Sequence, residues 1–119
     1  MNKRQSFNSD SPDTEGIAAL CEEHFVRYRN MLFLHSSFDE AAIDSALQRN
    51  LPEHQIQLER NHRDLITYAG TVSEQRKASE SISTRWLERL ASEFPDLYPR
   101  IAVELSNDDV VISLRASQR

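Results

Sequence analysis

The positions Ile17, Leu20, Cys21, His24, Phe25, Tyr28, Met31 and Leu32 recur at three- and four-residue steps. That spacing lays one face of a helix along a core and predicts a first helix over residues 12 to about 34. Ser11-Pro12 makes a plausible start, since proline suits the first helical position, and Asp13 and Glu15 favour the positive end of the helix dipole. The run Met31-Leu32-Phe33-Leu34 is apolar all round and marks either a buried helix end or a short strand.

Ser37-Phe38-Asp39-Glu40 has the form of a capping box, in which serine and glutamate satisfy each other's backbone donors. A second helix to about Arg49 follows, with Ala42, Ile43, Ala46 and Leu47 inward. Asn50-Leu51-Pro52-Glu53 stops and restarts the chain for a third helix over 52–69, with Ile56, Leu58, Leu65, Tyr68 and Ala69 as apolar candidates. Gly70 can close it, and Thr71-Val72-Ser73-Glu74 offers another capping box directly behind. One continuous helix over 52–94 is the alternative, because Leu58, Leu65 and Val72 fall seven apart as in a coiled-coil seam. Ser79, His62 and Arg76 break that seam, so two helices are preferred.

Residues 73–81 are polar on every face and read as an exposed helical turn or a loop. Ile82, Trp86, Leu87, Leu90 and Phe94 then make an inward stripe that Pro95 ends. After it the period changes to two. Ile101, Val103 and Leu105 alternate, Ser106-Asn107-Asp108-Asp109 supplies turn chemistry, and Val110, Ile112 and Leu114 alternate again. The pattern predicts a C-terminal antiparallel hairpin with Ile101, Val103 and Leu105 facing Trp86 and Leu90. The expected fold is therefore α+β and mainly helical, about four helices followed by that hairpin. Residues 1–11 are expected to be a flexible polar tail, and 12–119 a single domain.

At 119 residues with 39% apolar and 28% charged side chains, the chain is long enough to bury a real core beneath a well-solvated surface. A net charge of −5 argues against a sequence-independent grip on nucleic acid, without excluding a local basic face. Cys21 stands alone, which precludes an internal disulfide and suits a reducing compartment. No stretch has the ~18 apolar residues of a membrane span, and no secretory signal is visible, so the expectation is a cytoplasmic protein without membrane contact.

Several residue groupings carry possible chemistry. His62-Arg63-Asp64-Leu65 spells the start of a protein-kinase catalytic loop, but Ala69 stands where that loop needs asparagine, and the other kinase motifs are missing. Glu59 with His62, and Cys21 with His24, have metal-ligand spacing. Neither has the second pair that a di-metal bundle or a structural zinc site requires. No glycine-rich phosphate loop is present, and nothing in the sequence orients a histidine toward Cys21 as a nucleophile. The expectation is no catalysis, no cofactor and no metal.

Helix 82–94 followed by a hairpin resembles the recognition helix and wing of winged helix-turn-helix regulators, with Arg85, Arg89 and Arg100 implied as DNA contacts. Asp108 and Asp109 put the wrong charge at such a wing's tip. The stretch from Ile82 to Leu105 also resembles the helix–turn–strand of pterin carbinolamine dehydratases. That family's paired histidines would fall where this chain has Ser92-Glu93-Phe94, so no function carries over.

The reading favoured by the sequence is a small acidic protein that acts through protein contacts: an adaptor, inhibitor, antitoxin-like or secretion-chaperone-like regulator. Its expected partner is another protein, with a homodimer formed through the hairpin edge. The candidate contact residues are Trp86, Phe94, Tyr98, Arg100, Val103 and Val111. A DNA-binding regulator is the alternative.

Overall fold

A computed structural model describes residues 12–119, and the expected tail lies outside them. The chain runs α1 (Thr14–Cys21), β1 (Phe25–Tyr28), β2 (Met31–Leu34), α2 (Glu40–Gln48), α3 (Glu53–Arg60), β3 (His62–Asp64), α4 (Val72–Glu93), β4 (Leu97–Ser106) and β5 (Asp109–Gln118). The fold is α+β, with four helices and two antiparallel sheets, ordered β1-β2 and β3-β5-β4, among the described residues.

The long first helix does not form. α1 ends at Cys21, and residues 25–34 are two four-residue strands joined through Arg29, whose φ of 60° turns the chain. The apolar run in β2 explains the misleading pattern. Leu32 and Leu34 enter a core with α1, α4 and β5, while Met31 and Phe33 enter a second core with Ile43, Ala46 and Ile56. A strand buried on both faces shows no alternation, and its neighbours then mimic helical spacing.

Beyond β2 the expected stops hold better than the expected lengths. Asp39, not Ser37, caps α2, accepting from the Ala42 N–H at 3.1 Å. The third helix ends at Arg60, after which β3 and a 3-10 turn (Leu65–Thr67) replace its second half. The break at Gly70 is real: Thr71 caps α4 by accepting from the Glu74 N–H at 3.1 Å. The polar stretch 73–81 is the first half of α4, with Gln75, Ala78 and Ser79 buried.

The C-terminal strands are longer than expected and belong to a three-stranded sheet, with β5 in the middle. Asn107 and Asp108, with φ of 51° and 65°, make the two-residue turn that suits the right-handed twist of the strands it joins. Val110, Ile112, Leu114 and Ala116 point into the main core with Ile82, Trp86 and Leu90 of α4. Trp86 is fully buried, and its indole N–H donates to the Leu20 carbonyl at 2.7 Å, tying α4 to α1.

Three buried side-chain amides finish what the short strands leave open. Gln57 Oε1 accepts from the N–H groups of Leu32 and Ala116 at 3.0 and 2.8 Å, and its Nε2 donates to the Ala116 carbonyl at 3.0 Å. Asn61, one helical turn on, accepts from the Leu34 N–H and donates to the carbonyls of Leu32 and Leu114. The two amides stand between β2 and β5 as a missing strand would. Gln75 of α4 does the same at the other end of β5, accepting from the Val110 N–H at 2.6 Å and donating to the carbonyls of Asp108 and Ala69.

Candidate functional site

With β3, Gln57, Asn61 and Gln75 lying along one side of β5, the long free edge of the three-stranded sheet is that of β4, the opposite edge strand β3 having only three residues. The two-residue turn makes Ser106 and Asp109 the closing hydrogen-bonded pair. Counting back by twos, Arg100, Ala102 and Glu104 bond to β5, and Ile101, Val103 and Leu105 aim their N–H and C=O groups away from it. Pro99 also falls on the outward set, where a missing N–H costs no ladder bond. Among the described residues, no group hydrogen-bonds to the outward backbone of Ile101, Val103 or Leu105.

The side chains at these positions lie on the α4 side of the sheet. Ile101 packs against the main core, as expected. Val103 and Leu105 do not: they are 40% and 50% exposed, although α4 reaches the turn end of the sheet, where Gln75 bonds Asp108 and Val110 beside β5. Leu87, 43% exposed, lies on the same side of the sheet. It sits on the flank of α4 roughly 200° from Arg85 and from Arg89. An apolar strip therefore accompanies the unpaired backbone, without the inward charge or lysine that usually blunts a strand edge.

The opposite face of the same sheet is open because α2 and α3 cover the β1–β2 half. A groove of about 890 Å³ crosses it, walled by Leu58 and Glu59 of α3. Its floor is shallow in side chains, since Ala102 and Ser113 face each other across the ladder and His62 faces Ser113 from the other side. The charges at its ends differ in sign. Arg100 lies opposite Arg115 at one end, beside His54 and Tyr98, and Glu104 and Asp64 flank Val111 at the other. Like charges directly opposed on neighbouring strands are unfavourable. Arg100 also stacks over the Tyr98 ring at 5.1 Å. Among the described residues, neither Arg100 nor Glu104 has an ion-pair partner.

The residues singled out from sequence thus fall in separate places. Trp86 is core, and Phe94 is half-buried against it. Tyr98, Arg100 and Val111 lie on the groove face, and Val103 lies on the α4 face of the free edge. The three arginines of the DNA-binding alternative are not brought together. Arg85 forms a bidentate pair with Glu22, raising its own pKa and lowering that of the carboxylate. Arg89 donates to the carbonyls of Cys21 and Glu23, and Arg100 stands on the far side of the sheet. The Cys21 thiol is pushed above its ordinary pKa, chiefly by burial and then by neighbouring Glu22. Among the described residues, no three His, Cys, Asp or Glu side chains converge on a metal-sized site, and no helix is long and apolar enough to cross a membrane. Comparison with protein-family models, curated proteins and solved structures gives no match.

Sequence reasoning missed Gln57, Asn61 and Gln75, which make one edge complete and the other conspicuous. A signal was present: Gln75 is in phase with Ala78, Ile82 and Trp86, and Gln57 adjoins Ile56 four residues before Asn61. Polar residues in register with an apolar stripe are candidates for buried hydrogen bonding.

Proposed function

We propose that the protein is a non-catalytic regulator that works by protein contact, as an adaptor, inhibitor, antitoxin-like or secretion-chaperone-like factor, and that β4 is its contact element. One observation carries this reading. The fold commits three buried amides to one edge of the sheet and leaves the other edge bare beside exposed Val103 and Leu105. An edge of that kind takes an added strand, with backbone bonds supplying affinity and alternate side chains supplying selectivity. The groove on the other face adds charges of both signs within reach of the same partner.

A photo-crosslinking amino acid placed at Val103 or Leu105, with Glu88 on the exposed side of α4 as control, tests the reading in the native host. The expected result is protein adducts from the β4 positions well above the control. Equal labelling at all three positions would refute β4 as the contact element.

A further inference from the structure

The charges flanking the free edge identify what pairs with it. We infer that the partner strand is β4 of a second copy of this chain, antiparallel about a two-fold axis through Ala102. This rests on the reading of β4 as a contact edge and names its occupant.

A symmetric antiparallel pair of identical strands is defined by the residue on its axis, because residues equally far before and after that position face each other. A centre at Arg100 or Glu104 sets like charges against each other. A centre at Ile101 or Val103 leaves Arg100 opposite Ala102 or Ser106. With Ala102 on the axis, Arg100 of each copy faces Glu104 of the other, and both ion pairs form at once. Each incoming carboxylate also arrives beside the opposed Arg100–Arg115 pair, relieving its repulsion.

The backbone agrees with the same register. Ile101 then faces Val103 of the other copy, and both direct their N–H and C=O groups outward, so they exchange hydrogen bonds. Leu105 meets Pro99, whose carbonyl accepts and whose missing N–H ends the ladder. On the α4 side, Ile101, Val103 and Leu105 of both copies form one apolar row, drawing the exposed pair out of water. At the axis, two alanines meet at a non-hydrogen-bonded position, where Cα atoms approach to ~4.5 Å and a larger side chain would crowd. The product is a continuous sheet ordered β3-β5-β4-β4-β5-β3, with the two grooves on one face.

Charge reversal tests the register itself. Light scattering of the wild-type chain is expected to give twice its 13.8 kDa mass. R100E sets Glu against Glu, and E104R sets Arg against Arg, so each variant alone is expected to lose at least about tenfold in dimer affinity. Mixed together, the two restore both ion pairs, and a heterodimer should recover. The swap R100E/E104R in one chain should dimerise like wild type. Independently, A102C in a C21S background should form an intermolecular disulfide on mild oxidation, while V111C should not.

Failure of the mixed variants to associate, or equal crosslinking at both cysteines, would overturn the register and with it the proposal. A wild-type chain that stays monomeric while Val103 still yields adducts with another protein would overturn self-pairing alone. No mass doubling and no adducts would overturn both this inference and the reading beneath it.

Discussion

Gln57 illustrates how one side chain can decide whether two sheets belong to one core. Replacing it with leucine keeps roughly its volume and adds apolar burial worth about 2 kcal/mol. It also strands the N–H of Leu32 and both backbone groups of Ala116, each costing about 1–3 kcal/mol when buried without a partner. The losses outweigh the gain, so Q57L should lower unfolding free energy by roughly 1–7 kcal/mol in urea titration. An unchanged midpoint would show that the amide is not needed there. Asp96 makes a different, surface contribution. Both of its carboxylate oxygens accept from Arg27 Nη1, at 2.9 and 2.7 Å, which holds its pKa below the ordinary value. A lowered folded-state pKa adds stability above the unfolded carboxylate pKa, and that stability disappears as pH falls through the lowered value. Wild type should therefore lose stability on acidification from the ordinary aspartate range downward, and D96N should show a shallower loss across that window in thermal melts.

At the scale of elements, the sequence was most legible where one face of an element is dry and the other wet. The second half of α4 satisfies that condition, and Ile82, Trp86 and Leu90 mark it; β5 alternates for the same reason. Legibility failed for β1 and β2, because Met31 to Leu34 are buried on both sides and a four-residue strand has too few positions to show a period. It failed again at β3, three residues whose pairing with β5 depends on chain far away in sequence. The free edge was partly legible, since the alternation of β4 was visible, but Ile101 packs on the core and Val103 and Leu105 do not, and no local pattern reports which strand of a sheet a helix lies over. Docking of α1 has a clear test. A methyl group at Gly16 would meet the carboxylate of Asp13, which caps α1, and would lie 2.7 and 2.8 Å from carbons of the Tyr68 ring. Alanine gains about 1 kcal/mol of helix propensity, but overpacking costs about 1–3 kcal/mol. G16A should thus be neutral to destabilising by up to about 2 kcal/mol in wild type, and less destabilising in a Y68A background, where only the Asp13 carboxylate still crowds the methyl. An equal cost in both backgrounds, measured by thermal melts, would show that the ring does not crowd the methyl.

For the whole molecule, the amides make the two sheets and the helices on both faces interdependent. Melting β5 would leave Gln57, Asn61 and Gln75 with bare donors and acceptors in α3 and α4. Equilibrium unfolding should accordingly be one transition by fluorescence of Trp86 and by circular dichroism alike. In hydrogen exchange, the amides of Val110 and Ala116 should open only with the global transition; earlier exchange at either would show that the helical layers can separate. Chain order gives this arrangement a further meaning. Everything that the three amides stitch to β5 precedes it, so a chain emerging from the ribosome carries these side chains only partly matched until β5 is made. Vectorial synthesis gives no stable half-fold to rest in, and newly made chains should depend on holding chaperones for longer than a helical protein of this size would.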